Sequence, residues 1–315
     1  MLGSRPSSGL ADGLQCGGQS LRKGSVYRVF AMHHASLSAY AASLRQRQPR
    51  GPIALMLIED DVEVESTIAH HQRMGFGEMA AVCAPEMGLP DEMLHRVDFD
   101  LREENALQSI VNAVIPAVPG TWLYFCFNAE YLFFPFCEDR SLPEMLAFMT
   151  EERRTSVFST VVDLYAGDLR AQPRGVDREE ALFDGAGYYS LPRKDPDGAE
   201  LERQIHIHGG LRWRFENHIA EERQSCDRIA LFQAAKGLKM LPDRSFSIAE
   251  YNTYACPWHN NVTAAVASFR SAKALCRNPG SREEITTFRW PRSTRFDWHS
   301  QQLLDLGIIE PGQWF

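Results

Sequence analysis

The sequence predicts an α/β fold, a mixed and mostly parallel sheet flanked by helices. Three observations carry that prediction. The first is Ile53–Ile58, "IALMLI", six apolar residues that stop at Glu59, Asp60 and Asp61 and lead into a helical pattern and a second short apolar run. The second is the stretch Gly120–Asp168, which holds the apolar runs Trp122–Phe127, Tyr131–Phe136 and Val157–Val162. Runs this short, rich in aromatic and β-branched residues, read as strands buried on both faces. The third is the balance of 44% hydrophobic and 23% charged residues over 315 positions, an ordinary globular composition in a chain long enough to bury a sizeable core.

Taken in order, residues 1–50 read as an N-terminal extension that begins Gly- and Ser-rich and ends in the basic connector Arg45–Pro52. Val26–Leu44 reads as a strand followed by a short helix; His33 and His34 point apart on such a strand and do not share a ligand. After Ile53–Ile58, Val62–Met74 reads as a helix, because Val64, Ile68 and His71 fall at i, i+4 and i+7, and Gly75 is placed to cap it. Ala80–Cys83 is the next strand, which completes a β-α-β unit. Glu103–Val114 presents Leu107, Ile110, Val111 and Val114 on one helical face. In the central stretch, Asn128, Ala129 and Glu130 break the apolar run, and Leu142–Met149 reads as a helix. A polar notch where a buried strand ends is where open α/β sheets place ligands.

Ala171–Lys194 reads as a loop rich in Asp, Gly and Pro. In Gln204–Phe215 the pair Gly209 and Gly210 permits a turn or a close approach to a ligand. On a strand, Arg212 and Arg214 face one side, where they hold a diphosphate or an acidic acceptor, or stand as solvated arginines on a hairpin edge. His206 and His208 also share a strand face, but a metal there needs a third ligand from elsewhere. Tyr251–Leu275 reads as a loop running into an amphipathic helix, and residues 277–315 as a tail packing through Phe288, Trp290, Phe296 and Trp298.

The formal net charge of −8 argues against a general nucleic-acid binder. Seven cysteines without CxxC spacing read as free thiols in a reducing compartment. No apolar run reaches the roughly 20 residues of a membrane span, and Met1–Gly18 lacks the apolar segment of a secretory signal. A cytoplasmic protein is expected, with peripheral contact at the inner membrane face open to the aromatic tail. P-loop, GxSxG and Gly-rich dinucleotide signatures are absent from the sequence.

Several segments, in order, resemble bacterial family-2-like glycosyltransferases of the GT-A fold. "STIAHHQRMGF" (Ser66–Phe76) is similar to that family's "EWIAHHRALGF" helix, with Asp60 on the acid of the preceding turn and Ile58 at its basic position. Glu130–Pro135, then Arg140, then Val162–Tyr165, resemble its "DxDEFLVFP…R…MLDLYAD" segment. "FDGAGYY" (Phe183–Tyr189) and "QIHIHGGLRWRF" (Gln204–Phe215) resemble two further segments, and His259 falls on a family histidine. Two departures stand out. The aspartates of the metal-binding DxD fall on Phe127 and Ala129, or on Asn128 and Glu130 if shifted by one residue. The "DNDSTDGT" nucleotide signature is replaced by Cys83–Glu92, "CAPEMGLPDE".

The resemblance implies a GT-A-like domain over residues 51–276 that moves a sugar from a nucleotide-sugar donor to a glycan or glycoconjugate acceptor. It implies catalytic roles for Glu130 and Asp163, donor-binding roles for Glu59, Asp60, Asn128, Gly209, Gly210, Arg212 and Arg214, and a Mn2+ or Mg2+ site at Glu130 with His259. His259 also reads as an ordinary loop or core histidine. Loss of both signatures opens two alternatives: an inactive glycosyltransferase-like module that binds a saccharide or partner protein, and a transferase that works through basic residues without metal.

Overall fold

A computed structural model describes residues 32–89, 94–257 and 259–314. The Gly/Ser-rich start, most of the 1–50 segment, Cys16, Glu92 and Trp258 lie outside the described residues. In chain order the strands and helices are β1 (His33–His34), α1 (Leu37–Arg47), β2 (Ile53–Leu57), α2 (Val64–Met74), β3 (Glu78–Cys83), β4 (His95–Asp98), α3 (Ala106–Val114), β5 (Trp122–Phe127), β6 (Glu130–Phe133) and α4 (Leu142–Glu151). There follow β7 (Ser156–Tyr165), β8 (Leu182–Asp184), β9 (Tyr189–Lys194), β10 (Glu200–His208), α5 (Gly210–Arg214), β11 (Asp227–Gln233), β12 (Ala264–Ser268), α6 (Arg270–Arg277), α7 (Pro279–Arg282), β13 (Ser293–Arg295) and α8 (Ser300–Asp305).

The main sheet runs β1-β4-β3-β2-β5-β11-β7-β12-β6. Five of its eight neighbour pairs are parallel, the four from β1 to β5 and the pair β7-β12, so the sheet is mixed and mostly parallel. From β2 the chain steps to β3 and β4 on one side and then returns to β5 on the other. The carboxyl ends of β2 and β5 therefore stand at a topological switch point, where doubly wound sheets open a crevice.

Local sequence accounts for the helix ends. Ser36 caps α1 by accepting from the Ala39 amide, and Ser141 and Glu144 form a capping box on α4. Gly75 ends α2 at φ +89°, a conformation that costs glycine little. Inside α2, His71 donates to the Thr67 carbonyl and meets the Tyr124 hydroxyl at 3.3 Å, while His70 donates to the Leu132 carbonyl at 2.8 Å. Burial holds both imidazoles far below their ordinary value, His70 at about 3 and His71 at about 4. They are neutral core residues that lock α2 onto β5 and β6.

Three expectations are corrected. Residues 171–194 are not all loop, because β8 pairs with β7 and β9 pairs with β10. The segment before α6 contains β12, whose five small residues AAVAS are buried between β7 and β6; small side chains carry little hydrophobic signal along the chain. Gly210–Arg214 is a single helical turn rather than strand. In the tail, β13 pairs with β8, Phe288 and Phe296 are buried, and the Trp298 ring meets Tyr131 edge-on at 4.8 Å. Six cysteines are free among the described residues, with Cys83, Cys126 and Cys226 buried. No helix among the described residues is long and apolar enough to cross a membrane.

Candidate functional site

The crevice at the switch point is a cleft of about 620 Å³. β2 delivers Glu59 and Asp60 to it, and α6 delivers Arg270, Lys273 and Arg277 at the i, i+3 and i+7 spacing of one helical face. Arg212 comes from α5, Arg228 from β11, Arg223 from the 3-10 turn Glu221–Arg223 and Arg244 from a loop.

Asn128 builds the turn beneath the acids. Fully buried, it accepts from the Glu59 amide at 2.9 Å and donates to Asp60 Oδ1 at 2.6 Å and to the Val62 carbonyl at 2.8 Å. Next to it, Ala129 takes the left-handed conformation at φ +61°, unusual for a residue with a Cβ, and its amide donates to Thr67 Oγ1. The break in the apolar run is thus a strained turn held from three sides.

Each cleft acid is closed by a cation. Arg270 donates twice to Glu59, at 2.9 and 2.7 Å, and its guanidinium lies 3.6 Å over the Phe127 ring. Lys273 Nζ donates to both oxygens of Asp60, at 3.0 and 3.1 Å; burial would raise that carboxyl, but the ammonium outweighs it and lowers it. Glu130 is fully buried behind Arg228, which donates to both its oxygens, at 2.7 and 2.9 Å. Ser268 Oγ and the Phe127 amide complete its shell. Burial alone would raise Glu130, and the Arg228 charge and hydrogen bonds hold it instead at about 2.

Asp163 is as buried as Glu130 and far less satisfied. Arg212 Nε reaches its Oδ1 at 3.3 Å, and its Oδ2 has no hydrogen-bond partner among the described residues. Burial, only partly offset by Arg212, raises its carboxyl above the ordinary range. Gly210, at φ +60°, approaches so closely that a Cβ there would sit 3.2 Å from Asp163 Oδ2 and 3.3 Å from the Tyr188 hydroxyl. Gly209 packs against Tyr188, whose ring carbon would lie 2.5 Å from a Cβ. Both glycines are therefore required by close approach within this turn.

The predicted site residues divide. Glu59, Asp60 and Arg212 line the cleft, and Asn128 and Glu130 support it from behind. Arg214 does not join them: on one helical turn, residues two apart point in different directions. It is bound to Asp184 at 2.8 and 3.1 Å and lies over the Trp290, Phe215 and Tyr165 rings. His259 stands beside Glu152 at the end of α4, 3.3 Å away, and does not line the cleft. His206 pairs with Asp227 and His208 stacks on Tyr189, each ring held by a different partner.

A divalent cation does not fit this donor set. Both oxygens of Glu130 already accept from protonated donors, and the Arg228 guanidinium engages both of them. Asn128 Oδ1 is committed to the Glu59 amide. Among the described residues no group of three His, Cys, Asp or Glu is arranged to hold a metal ion.

What the cleft offers is positive charge. Arg102, Arg212, Arg228, Arg270 and Lys273 each have a carboxylate partner. Arg223, Arg244 and Arg277 have none among the described residues, although they line the same cleft. Arg244 keeps an exposed side chain, and partial withdrawal from water together with the charges of Arg270, Arg228, Arg212 and Arg223 lowers its guanidinium. Arg244 is also held at φ +65°. Like charges crowded on a strained backbone leave a site complementary to a polyanion. Sequence reading missed Arg228, Arg223, Arg244 and the basic face of α6. Only the last had a local signal, the spacing of Arg270, Lys273 and Arg277.

No family model matches the chain, and no curated protein matches it. Among solved structures, UTP-bound UGPase from Acinetobacter baumannii is similar with a TM-score of 0.34 and 9% identity, over 75% of this chain and 97% of that one. Similarity of that degree carries neither fold nor function across.

Proposed function

We propose that the chain is a GT-A-like protein that binds a nucleotide-sugar donor with its diphosphate on the arginine cluster, without a divalent cation, and transfers the sugar to a glycan or glycoconjugate acceptor. The observation that carries the reading is the convergence of Arg212, Arg223, Arg228, Arg244 and Arg270 on one cleft at the sheet's switch point. In metal-dependent transfer a cation neutralises the leaving diphosphate. Guanidinium groups supply the same charge and add paired hydrogen bonds to phosphate oxygens. In the reaction the bond from the anomeric carbon to the diphosphate breaks and a bond to the acceptor hydroxyl oxygen forms. The nucleoside diphosphate leaves with the electron pair, and the hydroxyl proton passes to solvent or a base.

One observation favours a second reading, a binding module that does not catalyse. Glu59, Asp60 and Glu130 are each tied to a cation, so none faces the cleft as a free base. Thermal unfolding with UDP, GDP, CMP and dTDP, each with Mn2+ and with EDTA, tests binding. A ligand at 100 times its dissociation constant adds about 2.7 kcal/mol, which is visible in the midpoint. The proposed reading expects a shift that survives EDTA. A shift that requires Mn2+ overturns the metal-free reading, and no shift with any nucleotide overturns donor binding. Release of nucleoside diphosphate from the matching nucleotide-sugar then separates transferase from binding module.

A further inference from the structure

The arm formed by β9 and β10 stands beside the cleft and has no role in the reading above. Its inner face turns Ile205 and Ile207 onto the core. Its outer face carries Tyr189 and Leu191 opposite His208 and His206, as the register Tyr189↔His208 and Leu191↔His206 requires. Tyr189 is 45% exposed and Leu191 49% exposed, among the most exposed large apolar side chains described. The Tyr189 and His208 rings are nearly parallel, 20° apart with centroids at 5.4 Å, and the His206 ring follows at 6.4 Å. Burial and the neighbouring His206 lower His208 below its ordinary value, so the platform is an uncharged ring pair near neutral pH. His206 is oriented by Asp227, which meets its Nδ1 at 3.2 Å.

The platform meets the edge of the cleft through His206. Arg193 and His206, both from the arm, line a smaller chamber together with Arg212, Arg223, Arg228 and Arg244, and those four arginines also line the cleft. Size decides what such a face can hold. A stable protein interface covers about 800 Å² on each partner. Here the face consists of two exposed apolar side chains and two imidazoles, a patch on the scale of a small ligand rather than of a partner protein. A pyranose presents an apolar face of axial C–H groups to an aromatic ring and hydroxyls to imidazole nitrogens, and this face offers both. The cleft has apolar walls of its own, at Leu101, Ile219 and Leu275.

We infer that the outer face of the β9-β10 arm, through Tyr189, Leu191, His206 and His208, is a saccharide-binding platform that seats the acceptor beside the arginine cleft. Its role as an acceptor site rests on the function proposed above, whereas saccharide binding by the arm does not. The test is saturation-transfer NMR on the full chain with the methyl pyranosides of glucose, galactose, mannose and N-acetylglucosamine, repeated on Tyr189→Ala and Leu191→Ala, with nucleotide-induced thermal shifts measured on all three proteins. Both side chains are exposed, so the variants retain the fold. The expected result is saturation of the C–H face of at least one pyranoside, falling about tenfold in Tyr189→Ala, the loss of one ring contact at the upper end of its range, with nucleotide shifts unchanged. Equal saturation in wild type and Tyr189→Ala, or none with any pyranoside, overturns the platform. Loss of the nucleotide shift in Tyr189→Ala also overturns it, by making the rings a nucleobase site. Pyranoside binding without any nucleotide shift overturns the donor reading and leaves the platform standing.

Discussion

Glu130, at the start of β6, and Asp163, inside β7, are both fully buried carboxylates facing an arginine, yet their environments drive them in opposite directions. Glu130 accepts four hydrogen bonds, two from Arg228 and one each from Ser268 and the Phe127 amide, and sits at about 2. Asp163 has one long contact with Arg212 and an oxygen with no partner, and its carboxyl rises. Burial acts alike on both, so the difference lies in the count and geometry of donors. The region around Glu130 is a closed electrostatic lock between β6, β11 and β12. The region around Asp163, where α5 leaves a double-glycine turn, is left open. Two buried acids of the same sheet thus have different uses: the first holds the sheet, and the second is the more adjustable group near the cleft.

The largest expected effect breaks the lock. Glu130→Ala leaves Arg228 buried and unpaired and is expected to lower stability by about 3–5 kcal/mol in urea unfolding. A double variant, Glu130→Leu with Arg228→Met, is expected to recover most of that loss, because an apolar pair removes the stranded charge. If the single variant costs less than the double, Glu130 is not the lock. Asp163→Asn is expected to cost less, about 1–2 kcal/mol, since it removes one long hydrogen bond and leaves Arg212 its contacts to Ser225 and Ser271.

The two acids also have opposite pH signatures. Glu130 is depressed from 4.5 to about 2, so its stabilisation is present above about 4.5 and is lost as pH falls toward 2. Asp163 is raised above 3.8, so the folded state holds its proton longer and stability declines as pH rises through and beyond that value. Stability against pH is therefore expected to flatten below 4.5 in Glu130→Gln. Asp163→Asn is expected to gain on wild type as pH rises from about 4. The same slope in both variants would refute the contrast.

The smallest effect on stability is expected where the effect on binding is large. Arg244→Met removes a cation crowded by like charges and without a carboxylate partner among the described residues. Urea unfolding is expected to change by no more than about 0.5 kcal/mol. Nucleotide affinity is expected to drop tenfold or more, the loss of one charge-assisted hydrogen bond of about 1.5–3 kcal/mol. A stability loss without an affinity loss would place Arg244 with the lock rather than the cleft.

Much of the architecture was legible along the chain. The apolar runs Ile53–Ile58, Trp122–Phe127 and Val157–Val162, and the helical spacing of Val64, Ile68 and His71, all correspond to observed elements. The polar break at Asn128–Glu130 was legible as a notch, and so was the arrival of Glu59 and Asp60 at a strand end. β12 was not, because alanine and serine carry no periodic hydrophobic signal and the strand is defined by the neighbours that enclose it. Arg214 was misassigned to the cleft because a strand and a helical turn orient alternate residues differently.

By itself the sequence determined a layered α/β chain, where its buried strands run and where its acids interrupt them, since burial on both faces leaves a local record in side-chain type. Which acid meets which cation was decided only in three dimensions. Glu130 and Arg228 are 98 positions apart, and Glu59 and Arg270 are 211 apart. Coulomb attraction depends on distance through space and on the water excluded between the partners, and neither is encoded by spacing along the chain. For the same reason the excess of positive charge in the cleft of a protein with net charge −8 appeared only when the sheet brought its arginines together.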